Sequence, residues 1–210
     1  MLGDESTLAE SIDESILRAS FAIGDDYIQV LRSNLESPVA RHRILALRGI
    51  VRQRLSTTDD WRSALSDRDV DVRREALNQI AHADIDDDEV FAAIVRCLDD
   101  DDALVVDGAV FALGEHLYVP AVVKLCEIAT SHDDARCRES AIAALGAIGD
   151  DRARVVILAA LTDKPPVRRR AIVALSNFEG PDIDEALERA SQDRDWQVRA
   201  AVNQLGRDDD

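Results

Sequence analysis

The segment Cys137 to Asp150, CRESAIAALGAIGD, constrains this chain more than any total does, because its spacing of small and aliphatic side chains recurs along nearly the whole sequence. With Cys137 as position 0, a basic residue stands at position 1, alanine at 4 and 7, leucine at 8, glycine at 9 and isoleucine at 11. At about 100° per residue these positions share one face of a helix. The same anchor falls at Val39, Val72, Val105, Cys137, Val167 and Val198, at intervals of 33, 33, 32, 30 and 31 residues. Recurrence at that period is the signature of a helical repeat array, in which each unit buries its apolar face only against its neighbours.

Three residues before each anchor stands Glu36, Asp69, Asp102, Asp134, Lys164 or Asp195, and the aspartates suit a helix N-cap or first turn. Pro38, Pro165 and Pro166 also fit first-turn positions. Each anchored helix is therefore the second, inner helix of a hairpin. The outer helices are expected near residues 26–35, 60–66, 89–98, 120–129, 152–161 and 183–191, joined by short loops rich in Asp, Gly and Pro. Leu8, Ile12, Ile16 and Leu17 at helical spacing predict a capping helix over residues 1–24, polar outside and apolar toward the first repeat. The expectation is an all-α, right-handed α–α superhelix of about six hairpins over residues 25–210, preceded by that cap.

Composition agrees. The chain is 46% hydrophobic but only 4% aromatic, so the core must be built from alanine, leucine, valine and isoleucine, which favours closely packed helices. The formal charge is -17, the acid is mostly aspartate, and Lys124 and Lys164 are the only lysines. Such a composition resembles that of salt-in halophiles, where the Debye length of about 3 Å at molar salt screens self-repulsion. Cys97, Cys126 and Cys137 form no CxxC motif, as in a reduced intracellular protein, and the first residues are acidic where a signal peptide is basic. With no apolar run near the roughly 20 residues of a membrane span, the expected location is cytoplasmic.

The segment from Cys137 to Asp163, CRESAIAALGAIGDDRARVVILAALTD, resembles the HEAT-like repeat of the phycobilisome-lyase type, whose pattern runs VRxxAxxALGxIGDxRAVPxLxxAL. Tyr118 to Leu125 repeats the outer-helix part, and the resemblance extends over about residues 25–206. Arg43, Gln79 and Val202 depart from it, standing where small residues are expected. The resemblance implies an armadillo/HEAT-like solenoid, a fold that serves scaffolds, adaptors and cofactor-attachment factors alike.

The chemistry of individual residues points away from catalysis. His42, His82, His116 and His132 never stand three or four residues apart, and none precedes a glutamate as in the His-Glu dyads of the family's di-iron hydroxylase. Asp67-x-Asp69-x-Asp71 starts like a calcium loop but continues with Val72 where glycine belongs. Cys137 occupies a core position, and Gly146 and Gly149 read as helix-end glycines. The arginines at position 1, Arg73, Arg138, Arg168 and Arg199, read as structural partners of the Asp-rich turns, and a net charge of -17 opposes nucleic-acid binding. No catalytic residue, metal or cofactor is assigned.

If positions 0, 4, 7, 8 and 11 face the core, positions 2, 3, 6 and 10 of the inner helices face the concave groove. In the middle of the chain these include Phe111, Ala143, Ala147 and Val173, an apolar strip bordered by Arg169, Arg170 and Asn177. An exposed apolar strip on so charged a chain marks a binding surface. The expected function is a non-catalytic scaffold or adaptor gripping another protein or peptide there, with no nucleic acid or membrane partner. The alternative is a cofactor-handling protein resembling the bilin lyase subunits. Repeat three also carries Val106 in place of the ladder arginine and a mid-helix Gly108, explained first by a close neighbouring helix and second by a close partner. Trp196 is a candidate contact for self-association, and the oligomeric state stays open.

Overall fold

A computed structural model describes the backbone of residues 4–205 and the side chains of residues 12–205. Among the described residues the protein is all-helical, with thirteen α-helices, two short 3-10 turns and no strand. The chain divides into two compact units, Met1–Ala93 and Ile94–Asp210.

The first unit holds α1 (Asp4–Phe21), α2 (Asp25–Asn34), α3 (Ala40–Arg52), α4 (Thr58–Leu65), α5 (Val70–Ile80) and the start of α6 (Asp88–Cys97). The second holds the end of α6, then α7 (Ala103–Glu115), the 3-10 turn Val119–Ala121 leading into α8 (Val122–Ser131), and α9 (Ala135–Ile148). It continues with the 3-10 turn Asp151–Ala153 leading into α10 (Arg154–Ala160), then α11 (Pro165–Leu175), α12 (Pro181–Ala190) and α13 (Trp196–Leu205). In the second unit α7, α9, α11 and α13 pack in succession, while α8 and α10 cover them from outside. In the first, α1, α3 and α5 make the equivalent row.

The aspartates before the anchors do start helices. Asp69, Asp102, Asp134 and Asp195 each accept from a backbone N–H in the first turn of α5, α7, α9 and α13, an interaction that contributes about 1 kcal/mol per helix. Val72, Val105, Cys137, Val167 and Val198 are all at most 2% exposed. At positions 4 and 8, Ala76 with Ile80, Ala109 with Leu113, Ala141 with Leu145 and Ala171 with Leu175 have no exposure at all. These small residues beside large ones let the helices approach closely, which is the role the recurrence assigns them.

The first repeat is set in a different register from the expected one. Val39 is the N-cap of α3 and is 46% exposed. The inward place belongs to His42, followed at positions 4 and 8 by Ala46 and Ile50, both fully buried. A histidine stands there because α1 supplies a carboxylate: His42 Nε2 lies 3.4 Å from Asp13 Oδ1, and its Nδ1 lies 3.1 Å from Ser37 Oγ. Arg43 is thus a position-1 arginine in its proper place. The capping helix also differs from expectation. Ile12, Ile16 and Ala19 pack into the first core cluster, but Leu17 and Phe21 face outward at 45% and 70% exposure. The Arg52 guanidinium lies 4.4 Å above the Phe21 ring. The side chain of Leu8 lies outside the described residues.

Position-1 arginines form a ladder that ties α3 to the turn before α5, α9 to the turn before α11, and α11 to the turn before α13. Arg43 donates from Nε and Nη2 to the two oxygens of Asp67 at 2.7 and 2.6 Å, and from Nη1 to the Ser37 carbonyl of its own turn at 2.7 Å. Arg138 does the same with Asp163 and the His132 carbonyl, and Arg168 with Asp193 and the Asp163 carbonyl. Arg73 and Arg199 donate to the carbonyls of Asp67 and Asp193. The charge-assisted, two-pronged geometry is the strong form of such a pair. These bonds hold the carboxyls of Asp163 and Asp193 below the ordinary range. Burial pushes Asp67 up more than any one contact lowers it, but the bond from Arg43, the Asp69 N–H and the charges of Arg43 and Arg68 together outweigh burial, and the group is likewise lowered.

Between α7 and α9 the ladder is interrupted on both sides. Val106, 1% exposed, replaces the arginine, and His132 replaces the aspartate. His132 Nδ1 accepts from Asp134 N at 3.1 Å, just as Asp67 Oδ1 accepts from Asp69 N at 2.8 Å. The turn-closing acceptor survives while the charge is removed along with its partner.

Candidate functional site

The seam between successive inner helices is built on glycine. A Cβ placed on Gly114 of α7 would lie 2.9 Å from the Ala144 Cβ, and one on Gly146 of α9 would lie 2.5 Å from the Ala174 Cβ. Gly146 is therefore a close-approach residue inside α9, not a helix end. Gly149 is the helix end, a left-handed C-cap at φ 68° with nothing within 4 Å of its missing side chain.

Where α7 and α9 meet so closely, the exposed faces of α7, α9 and α11 leave a hollow of about 470 Å³. Its floor is Gly114, Ala143, Ala144 and Ala147, with Phe111 rising beside it, 46% exposed. Phe111, Ala143, Ala147 and Arg170 line this hollow together. Val173, Arg169 and Asn177 lie on or just beyond α11, outside its lining. Val173 is 45% exposed. Asn177 is already engaged: its Nδ2 donates to the Gly146 carbonyl at 2.8 Å, satisfying one of the last carbonyls of α9.

The rim is charged and ordered. Ser140 Oγ donates to Asp107 Oδ1 at 2.5 Å across the seam from α9 to α7. Arg169 and Arg170 each bring a guanidinium nitrogen to 3.7 Å from the same oxygen of Glu139. Arg136 also lines the hollow and donates to Asp134, 2.8 Å away, and the bond from Arg136 pulls that carboxyl down to about 2. Periodicity places Asp107, Glu115, Glu139 and Ser140 on this face. It misses Arg136, one residue before the anchor, because a side chain in the first turn reaches past the helix end rather than along the stripe. It also misses Gly114 and Ala144, core-side positions that become floor only because neither carries a long side chain.

Nothing in the hollow is arranged for covalent chemistry. Cys137 is fully buried, its Sγ donates to the Ala103 carbonyl at 3.2 Å, and burial pushes its thiol up to about 11. Burial also raises Cys126. Among the described residues no group of three or more His, Cys, Asp or Glu side chains could hold a metal ion, and no helix is long and apolar enough to cross a membrane. Two other hollows, of about 340 and 300 Å³, lie beside the ladder residues Arg43 and Arg168 and are rimmed by aspartate and glutamate.

Residues 122–206 match the family described as HEAT repeats. No curated protein matches the chain. Among solved structures, the chain is similar to YibA of Escherichia coli, at 20% identity and a TM-score of 0.62, over 96% of this chain and 74% of that one. It is similar to a designed armadillo repeat protein solved in complex with the peptide (KR)4, at 14% identity and a TM-score of 0.57, over 93% of this chain and 98% of that one. It is also similar to the complex of CpcE and CpcF of phycocyanin lyase from Nostoc sp. PCC7120, at 20% identity and a TM-score of 0.59, over 83% and 74%. These likenesses establish an all-α fold of the armadillo/HEAT-like helical-repeat kind.

Proposed function

We propose that this protein is a non-catalytic scaffold or adaptor that binds a partner protein or peptide along its inner helices, in the hollow between α7, α9 and α11. The observation that carries this reading is the apolar floor of that hollow, with Phe111 46% exposed beside it and Val173 45% exposed just outside it, on a chain of net charge -17. Apolar side chains held open to water on the inner helices gain free energy when a partner covers them. The designed armadillo neighbour was solved with a peptide bound, and the lyase neighbour in a two-protein complex, which is the kind of use this reading assigns here. Within the same reading α1 serves as the amino-terminal cap of a repeat array over residues 25–210, and the acidic surface suits a salt-rich cytoplasm.

A photoreactive residue in place of Ala143 should cross-link a discrete partner in extract from the native host, and Phe111→Asp should abolish the product. The same residue in place of Val155, on the outer helix α10, should give none. Equal cross-linking from both positions, or a product indifferent to Phe111→Asp, would reject the groove. The alternative of cofactor handling is separated by absorbance: protein incubated with a tetrapyrrole and desalted is expected to show only its ultraviolet band.

A further inference from the structure

The rim of the hollow has a polarity that specifies what it holds. On the α7 side stand Asp107 and Glu115, neither in an ion pair among the described residues. On the α11 side stand Arg169 and Arg170, which share one carboxylate, Glu139, at 3.7 Å each. One carboxylate cannot neutralise two guanidinium groups, so the α11 edge keeps an excess of positive charge. Arg136, the remaining cation of the lining, is committed to its own Asp134. The hollow thus runs from a negative edge, over the apolar floor of Ala143 and Ala147, to a positive edge. A uniformly basic segment, which the net charge of -17 alone favours, meets repulsion at α11, and a uniformly acidic one meets it at α7.

Resting on the scaffold reading above, we propose that the occupant is an extended peptide segment carrying a basic side chain over α7, apolar side chains over α9 and an acidic side chain over α11. Geometry sets the spacing. Packed helices lie about 8–10 Å apart, so α7 to α11 is roughly 16–20 Å. An extended chain rises about 3.3 Å per residue, which places the two charges about five to six residues apart, and the even spacing that keeps both on one face is six. Alternate side chains of such a chain share one face. The segment therefore reads basic at i, apolar at i+2 and i+4, and acidic at i+6. Either chain direction satisfies it, because reversing the sequence and the direction together restores the same charges to the same helices.

The test uses fluorescein-labelled peptides with blocked termini, Arg-Ser-Leu-Ser-Leu-Ser-Glu against the same peptide with arginine at both ends or glutamate at both ends, titrated with the full-length protein in low salt and read by anisotropy. The mixed peptide is expected to bind at least tenfold tighter than either like-charged peptide, an advantage that shrinks toward unity in molar salt. In the Arg169→Glu, Arg170→Glu protein the preference should pass to the doubly basic peptide. In Glu115→Arg, a change at an exposed position, it should pass toward the doubly acidic one. Binding of all three peptides with equal affinity, lost in Phe111→Asp, would overturn this occupant and leave the scaffold reading standing. No binding of any peptide, alongside a partner cross-linked at Ala143, would also overturn the occupant alone. Absence of both peptide binding and cross-linking would remove both readings.

Discussion

Replacing Arg43 with valine removes three charge-assisted hydrogen bonds and leaves Asp67 behind, with 13% of its side chain exposed and only the Asp69 N–H to satisfy it. Breaking a buried ion pair by removing one partner costs about 3–5 kcal/mol, most of it the penalty of the abandoned charge. Because Asp67 keeps some contact with water, we expect about 3 kcal/mol. The protein itself shows how to relieve that penalty: at the joint between α7 and α9 the pair is replaced by Val106 and His132, and His132 still accepts the turn-closing bond. Adding Asp67→His to Arg43→Val copies that joint. The double variant should lie within about 1 kcal/mol of wild type, the remainder being lost packing of the arginine stem. The assay follows from the two tryptophans. Trp61 is buried in α4, in the same unit as this joint, whereas Trp196 is 66% exposed in the other unit, so in a Trp196→Phe background the emission reports Trp61 alone. Urea is the right denaturant, since guanidinium is itself a salt and screens the pair under test. A single variant within about 1 kcal/mol of wild type, or a double variant no more stable than the single, would refute the account of the ladder given above.

Gly146→Ala should destabilise despite the helix propensity it gains. Overpacking costs about 1–3 kcal/mol against roughly 1 kcal/mol recovered, and Ala174→Gly should restore urea stability only in part, since the added Cβ would meet the Ala174 Cβ at 2.5 Å and also its backbone Cα at 2.8 Å. Asp67, Asp163 and Asp193 have lowered carboxyl values in the folded protein, so their contribution is complete above the ordinary aspartate value of about 3.9 and is lost as pH falls below it toward the folded values. Helical signal against pH should accordingly stay flat through neutral pH and collapse in acid, earlier in a variant lacking Arg168. With a net charge of -17, the thermal midpoint should rise as potassium chloride is added, and a midpoint that falls would count against the self-repulsion argument. Ala143→Leu should fill the hollow and abolish binding of the mixed peptide with no loss of urea stability; retained affinity would place the peptide elsewhere.

The helices were legible in the sequence because two local signals coincide: an aspartate that accepts from the first-turn N–H groups, and an aliphatic residue three positions later with alanine and leucine at fixed offsets. Where one signal fails, the register slips. In the first repeat the inward residue is His42, which has no aliphatic signature and is accommodated only because Asp13 arrives from α1, a contact that no window around residue 42 contains. Arg43 then looks like an intruder in the wrong column. The ladder was half legible for the same reason: the bond from Arg73 to its own turn is local, but the two-pronged bond to the next turn, as from Arg43 to Asp67, spans 24 residues. Gly146 misled in the opposite sense, since a glycine near a helix end reads as a cap until a neighbouring helix is known to lie against it.

The groove face was legible by angle but not by depth. In α7, α9 and α11 positions 2, 3, 6 and 10 are all at least partly exposed, whereas Glu75 and Ala201, at position 3 of α5 and α13, are buried, and a surface stripe alone is not a binding site. The hollow arises from truncation rather than from any change of backbone. At position 6, α7 carries Phe111 and α11 carries Val173, while α9 between them carries Ala143; at position 10 the same helices present Glu115, Ala147 and the engaged Asn177. Two missing side chains on the middle helix, flanked by larger ones, make a depression whose floor is the small-residue seam of Gly114 and Ala144. The seam serves stability and the truncation does not, because α9 would pack equally well on its core side with longer residues at 143 and 147. The charge polarity of the rim follows the same division. Asp107 and Glu115 stand at positions 2 and 10 of α7, and Arg169 and Arg170 at positions 2 and 3 of α11, all off the core stripe and off the ladder. The arginines of the ladder and the charged residues of the rim thus occupy separate columns of the same repeat, whereas Gly114 and Ala144 belong both to the packing seam and to the floor of the hollow.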